Sequence, residues 1–425
     1  MILLLILLLF ALIIIRMPIA FALLSVSIIG IGWTGIEFLE VIPRKLYFGI
    51  NNFSLLAIPL FVLAGEIMSK GGMSKRIVNF SKLLIGPLPG GLAMVVIISS
   101  VFFAALTGTA IAAAAAIGGM LLPLMKKEGY NESFSASLVA SAATVGPIIP
   151  PSIIFILFGV MANQSISDLF IGGVVPGILM AIGLMIYSYF IGKREGYKSM
   201  DRFPPLKDIL LGFKDAILAL LMPAIIIGGI VSGLFTATES GVIAVLYAII
   251  ISGIVYRELS LKKLYEAVIS STKTSVGIIF LIGSAATFIW FVSFNDVPAQ
   301  IQSMLGVFAE NPILLLLVIN IVLLIAGTFI DTISAVTIFT PIFLPLIMAT
   351  NIDPIHFGVI MAVNLSIGMI TPPLGVCLFV VSSISKVHIK KIIKSVIPQL
   401  IILIVILIII TYVPWLITYP VSLFK

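Results

Sequence analysis

The chain has 425 residues, 61% of them hydrophobic and only 10% charged, with a mean hydropathy of +1.30 and a formal net charge of +7. A water-facing domain keeps about 25% charged residues, so this composition excludes a soluble globular protein and leaves the lipid bilayer as the main solvent. One cysteine, Cys377, excludes an internal disulfide or a cysteine metal cluster; two histidines, His356 and His388, argue against a histidine metal site; and cations spaced between apolar runs argue against nucleic acid.

Backbone groups in hydrocarbon must be paired inside a helix or a closed barrel, and a helical crossing takes about 20 residues. The apolar runs are continuous rather than alternating, so an all-α polytopic membrane protein is expected. In chain order, full spans are expected at about 2–15, 18–36, 53–69, 133–160, 169–191, 216–235, 239–256, 275–294, 355–383 and 396–418. Met1 to Ile15 lacks a basic leader and a small-residue cleavage site, so it reads as the first span rather than a signal. Residues 83–125 carry no charge and 311–352 carry only Asp331. Each of these stretches is about twice the length of one crossing.

Placing the N-terminus outside puts 21 of the 24 Lys and Arg on the inner side, leaving Arg44, Lys45 and Lys425 outside. The excess of cations marks the cytoplasmic face, so both termini are expected in the periplasm of a bacterial inner membrane. This layout makes 83–125 enter and return from inside, and 311–352 from outside. Each is either a re-entrant hairpin or two full crossings. Thr107-Gly108-Thr109 and Gly327-Thr328, near the middles, suit a tip of exposed backbone and favour hairpins.

The chain repeats itself. Leu122-Pro123-Leu124 returns as Leu344-Pro345-Leu346, and Gly146-Pro147-Ile148-Ile149-Pro150-Pro151 as Gly368-Met369-Ile370-Thr371-Pro372-Pro373, both at an offset of 222. Each half then holds five spans and one double-back, an odd number of crossings, so the halves enter from opposite sides. Residues 1–191 and 216–425 are expected to be inverted repeats joined by a cytoplasmic linker at 192–215. Such repeats typify secondary transporters.

Paired prolines in mid-span remove a donor and clash with the preceding turn. Spans 133–160 and 355–383 should therefore be broken helices, unwound near Thr144, Gly146, Pro150, Pro151 and Ser152, and near Ser366, Gly368, Thr371, Pro372 and Pro373. Unwound backbone at membrane depth is tolerated only in protein or along a cavity. Its carbonyls suit Na⁺, and half-helix N-termini suit an anion. Thr107, Gly108 and Thr109 supply hydroxyls and carbonyls near one break; Gly327, Thr328, Asp331 and Thr332 near the other. Asp331 is the one acid deep in an apolar stretch, hence a functional candidate, as a cation ligand or as a structural acceptor. Glu66, Glu239 and His356 read as interface or structural groups. No Ser-His-Asp set, HExxH or phosphate loop appears, so no enzyme and no ATP site are expected; transport would draw on an ion gradient or a partner.

Together these residues, with Gly65-Glu66, Gly71-Gly72, Asp331 and Gly375, resemble the large membrane subunit of tripartite ATP-independent periplasmic (TRAP) transporters over the full length. The resemblance implies Na⁺-coupled uptake of an organic acid, such as a C4-dicarboxylate or sialic acid, with no further cofactor. It also implies a periplasmic substrate-binding protein, a separate small four-span membrane subunit and an elevator motion of hairpins and broken helices against a scaffold. By position, Thr107, Thr109, Ser152 and Asp331 would surround the sodium and substrate sites. One departure is Ala113, where the family often has an acid. The alternative is an independent Na⁺- or H⁺-coupled dicarboxylate or citrate carrier that needs no binding protein.

Overall fold

The computed structural model describes residues 2–15, 17–197, 203–295 and 311–424. Four cations of the charge count, Arg16, Lys198, Arg202 and Lys425, and part of the 192–215 linker lie outside the described residues. Among the described residues there are helices and no strands, and nine helices are long and apolar enough to cross a membrane, or ten with one bent pair taken as a span.

The first half contains α1 (Ile2–Ile14), α2 (Ile19–Thr34), α3 (Val41–Ile50), α4 (Ala57–Lys70), α5 (Met73–Ile85), α6 (Gly91–Thr107), α7 (Ala110–Lys127), α8 (Glu132–Ala143), α9 (Ile153–Ala162) and α10 (Ile166–Glu195). The second half contains α11 (Leu206–Val231), α12 (Ala237–Ile249, continued as a π-helix to Val255), α13 (Leu261–Phe294), α14 (Pro312–Phe329), α15 (Thr332–Ala349), α16 (Pro354–Gly368), α17 (Val376–Ser385), α18 (Ile389–Tyr412) and α19 (Trp415–Leu423). The expected span at 396–418 is two helices, because Pro414 opens α19. Helix α13 begins at Leu261 rather than near 275, since its first turns are polar and extend the rod beyond the apolar run. Helices α3 and α5 join the expected spans; their mixed polar and apolar faces read as loops in a search for continuous hydrophobicity.

Both Pro-Pro segments interrupt their helices as expected. Helices α8 and α9 meet at 42° across a short break, and α16 and α17 are separated by residues 369–375. The bonds Pro150-Pro151 and Pro372-Pro373 are cis.

Packing divides the helices into two groups. In one, α4 lies against α12 and α13, and α13 also against α2 and α3, with α11 and α5 alongside. In the other, α8 and α16 form the centre. Every residue of α8 from Phe134 and of α16 from Ile355 is buried, the polar Ser137, Ser141, His356 and Asn364 included. Around them the contacts are reciprocal. Helix α7 packs on α8 and on α17 of the other half, while α15 packs on α16 and on α9. Such an exchange is the pattern of a two-fold relation. The groups meet where α4 touches α6 and α9, where α13 touches α15, and where α5 runs on to α6, with Lys82 of α5 paired to Glu128 at the end of α7 at 3.2 Å. Among the described residues no hydrogen bond links α4 or α13 to α6, α9 or α15.

Helix α18 is fastened to both central helices by polar groups. Near its middle, Ser141 donates to Gln399 Oε1 at 2.7 Å and Gln399 Nε2 donates to Ser137 Oγ at 2.9 Å. Near its end, Asn364 donates to Asn320 at 2.7 Å, Asn320 to Thr411 at 3.1 Å, and His356 Nε2 lies 2.9 Å from the Ile410 carbonyl. Hydrogen bonds between helices in lipid contribute about 0.6–2 kcal/mol. Gln399→Leu leaves the Ser141 hydroxyl without this acceptor; we expect a loss of about 1 kcal/mol, read as a lower midpoint of thermal unfolding in detergent.

Candidate functional site

The two double-back stretches each end in a turn capped by a polar side chain. In the first, α6 stops at Thr107, Gly108 turns the chain with φ +67°, and Thr109 caps α7 by accepting from the Ala112 N–H at 3.4 Å. In the second, α14 stops at Phe329 and Asp331 caps α15 by accepting from the Ser334 N–H at 3.1 Å. Thr109 and Asp331 lie 222 residues apart, as do the next pair of caps, Asn131 of α8 and Asp353 of α16. The repeat thus extends to positions whose residues differ but whose capping task is the same.

Each turn meets the start of a half-helix. A Cβ on Gly108 would lie 2.7 Å from Ile153 Cγ1 in the first turn of α9. Ser152 caps α9, accepting from the Phe155 N–H at 3.3 Å while its hydroxyl donates to the Pro147 carbonyl. In the second half, the Gly375 N–H, at the start of α17, donates to the Thr328 carbonyl at 3.4 Å. Gly327 and Gly368 touch backbone to backbone, and Thr332 Oγ1 lies 3.7 Å from Met369 Sδ. Two helix N-termini therefore converge twice: α7 with α9, and α15 with α17. Free N–H groups and the helix dipole favour an anion at such points, while adjacent carbonyls and hydroxyls suit a hard cation.

Two cavities open at the turns. One of about 410 Å³ is lined by Thr107 and Thr109 of the first turn and by Glu66, Ser69 and Thr274 of α4 and α13. The other, about 520 Å³, is lined by Asp331 and Ser334 of the second turn, by Gly277 and Phe280 of α13, and by α2 residues. Among the described residues no Arg or Lys lines either cavity. Among the described residues no group of three His, Cys, Asp or Glu could hold a metal.

Comparison with known proteins agrees with this architecture. The family profile described as the tripartite ATP-independent periplasmic transporter, DctM component, matches residues 6–416.

The chain belongs to this TRAP transporter family.

It is 38% identical over 408 residues to the 2,3-diketo-L-gulonate TRAP transporter large permease protein YiaN of Escherichia coli, covering 96% of each. It is 36% identical over 371 residues to the sialic acid TRAP transporter large permease protein SiaM of Vibrio cholerae, covering 87% of each. The C4-dicarboxylate TRAP transporter large permease protein DctM of Pseudomonas aeruginosa is 38% identical over 370 residues, 87% of this chain and 86% of that one. These relatives are transporter permeases. In fold, the chain matches the crystal structure of the YdaH transporter of Alcanivorax borkumensis with a TM-score of 0.65 at 15% identity, over 91% of this chain and 90% of that one.

In this TRAP permease the sequence-derived residues divide. Thr107 and Thr109 line a cavity, and Gly108 closes on α9. Gly327, Thr328, Asp331 and Thr332 gather with Gly368 at the second break. Thr144, Gly146, Pro150, Pro151 and Ser152 are buried in the first break, where Thr144 donates back to the Ser141 carbonyl at 2.7 Å. Ser366 is fully buried and its hydroxyl has no hydrogen-bond partner. Thr371 donates to the Ile367 carbonyl at 2.9 Å. Unlike the first break, the second is open on one side: Pro372 is half-buried and Pro373 exposed.

Glu239 and His356 have the structural roles expected of them. Glu239 accepts from the Thr236 N–H at 2.8 Å in a capping box, and His356 is buried. Glu66 is different. It sits one turn from Lys70 in sequence, yet Lys70 pairs with Glu266 at 3.3 Å, and Glu66 accepts from Ser270 at 2.9 Å beside the first cavity. The signal in the sequence was an acid inside an apolar run. Gly108→Ala would force a positive φ on a residue with a Cβ and press on Ile153; we expect a loss of about 1–2 kcal/mol and weaker transport, measured by thermal unfolding and uptake together.

Proposed function

We propose that this TRAP large permease subunit is a secondary transporter that imports an organic acid anion together with Na⁺. The observation that carries the proposal is the twofold meeting of a capped turn with a half-helix N-terminus, at matching positions of the repeat. Backbone N–H groups at these N-termini would hold the carboxylate, in keeping with cavities that among the described residues carry no Lys or Arg. Threonine hydroxyls, carbonyls and Asp331 would ligate Na⁺. The substrates named for the relatives, C4-dicarboxylates, sialic acid and diketo-gulonate, are all organic acids and set the substrate class.

Residues 1–191 and 216–425 would be inverted repeats, related by the odd number of crossings in each. Their turns and broken helices would move together as an elevator past α4 and α13, a reading supported by the absence of hydrogen bonds across that seam among the described residues. The protein would lie in the bacterial inner membrane with both termini in the periplasm, where cation counts favour them. A periplasmic substrate-binding protein would deliver the acid, and a small four-span subunit would complete the permease. The test is uptake of labelled C4-dicarboxylate or sialic acid by proteoliposomes holding both permease subunits. Uptake should require an inward Na⁺ gradient and the binding protein; equal uptake without both would overturn the proposal.

A further inference from the structure

Where α5 runs on to α6, one charged pair spans the two helix groups. Lys82, in the last turn of α5, lies 3.2 Å from Glu128, the residue that ends α7. Both flanks of this crossing are held. At the start of α5, Arg76 donates to Asp215 of α11 at 3.1 Å and to Glu258, just ahead of α13, at 2.7 Å. Its guanidinium also stacks 3.7 Å over the Tyr256 ring. Beyond the crossing, the Gly90 N–H donates to the Tyr197 carbonyl at 2.8 Å, and a Cβ on Gly90 would lie 2.4 Å from the Ser188 carbonyl oxygen of α10. Helix α10 in turn packs on α6 and α18. So α5 is fastened to one group and the chain from Gly90 onward to the other. Residues 86–89 are left to absorb a rotation between them, as hinges of a few connecting residues do. The ion pair lies across that hinge.

Glu128 is badly placed for the stability of its own helix. A carboxylate at a helix C-terminus opposes the macrodipole. Its Oε2 is buried without a hydrogen-bond partner, and so is the hydroxyl of Tyr130 two residues on. Lys126, in the same turn, is engaged by Glu132 at 2.9 Å, and among the described residues Lys82 is the one cation paired with Glu128. We propose that Lys82 and Glu128 form a latch, which holds α7 against α5 in the arrangement described and opens when the groups rotate about residues 86–89. The side chains are only 33% and 21% exposed, so the pair is screened less than one in open water, and losing either partner strands the other charge. Neither residue is among those lining the cavities at the two turns; their role is to position the groups. The inference rests on the elevator reading above and adds a named contact that biases its equilibrium.

The test uses the complete permease in lipid vesicles, spin-labelled at two exposed positions, Lys75→Cys in α5 and Lys127→Cys in α7; the native Cys377 is fully buried. Pulsed electron resonance reads the distance between the labels. Lys82→Glu sets two carboxylates against each other and should lower the share of molecules at the wild-type distance about threefold or more. Adding Glu128→Lys restores a pair of reversed sense and should bring that share back to within about 1.5-fold of wild type. An unchanged distance distribution in Lys82→Glu, or one that the swap does not restore, would overturn the latch. If Lys82→Glu is not recovered folded, Glu128→Gln should shift the distribution in the same direction, and no shift there also overturns it. Na⁺-driven uptake by the same vesicles keeps the two readings apart. Its absence in the wild type would overturn the transport reading, whereas the distances, which need no Na⁺, decide the latch.

Discussion

Asp331→Asn should insert and fold like the wild type and lose Na⁺-dependent uptake by about a hundredfold or more, on the scale of removing one buried charge from an ion site. The two halves of this expectation have separate causes. The folding part follows from the cap. Asp331 accepts from the Ser334 N–H at 3.1 Å, and Asn is as good a helix N-cap as Asp, so α15 should start where it does now. The transport part follows from charge. Among the described residues Asp331 is the only acid lining the second cavity, and no Lys or Arg shares that lining to take over its role. Thermal unfolding without Na⁺ should be close to wild type, while stabilisation by added Na⁺ should weaken. Unchanged Na⁺ dependence would remove Asp331 from the ion site and leave it as a cap alone.

Gly368→Ala should abolish transport and lower stability together. A Cβ at Gly368 would lie 2.6 Å from Gly327 Cα and 2.7 Å from its carbonyl carbon. Those atoms are backbone, so no rotamer change relieves the clash; α14 and α16 must separate. Overpacking of this kind costs about 1–3 kcal/mol, and the separation displaces Thr328 and Asp331 from the second break. The appropriate control is Gly119→Ala in α7, where nothing lies within 4 Å of the added carbon. Alanine favours a helix over glycine by about 1 kcal/mol, so that variant should be as stable as the wild type or slightly more so. A neutral Gly368→Ala would mean the two backbones are not in contact in the working protein.

Much of this fold is written in the chain because lipid enforces it. An apolar run must be a helix in hydrocarbon, and a Pro-Pro pair within one must interrupt it, so α8 with α9 and α16 with α17 could be placed from residue order alone. The turn at Thr107-Gly108-Thr109 was legible for a similar reason, since hydroxyls and glycine stand out against leucine and alanine. The second turn was expected at Gly327-Thr328, but those residues stay helical in α14, which runs to Phe329, and the chain turns at Ile330 and Asp331. What pairs across the bundle was not. Glu66 has a lysine one turn away, the usual helical partner, and only the position of α13, some 204 residues further on, gives it Ser270 instead. Gln399 likewise has no polar partner within its own apolar run, and only the placement of α8 brings Ser137 and Ser141 to it. The equivalence of Thr109 and Asp331 was hidden because the repeat conserves a capping geometry there and not a residue. Helices α3 and α5 are hidden from continuous hydrophobicity because their apolar residues share the helix with charged ones, Arg44 and Lys45 in α3 and Lys75, Arg76 and Lys82 in α5.

The polar fastening of α18 constrains where strain can be released. Hydrocarbon offers no replacement partner for Gln399, Asn320 or Thr411 once their bonds open, so shear between α18 and either central helix is resisted at the middle and at the C-terminal end of the rod. The contacts of α4 with α6 and α9, and of α13 with α15, present no such obstacle, since van der Waals contact is exchanged for similar contact as the surfaces glide. Mechanical compliance is thus concentrated in one slip plane, and a disulfide stitched across it, rather than within either helix group, would be the cross-link that stalls the machine.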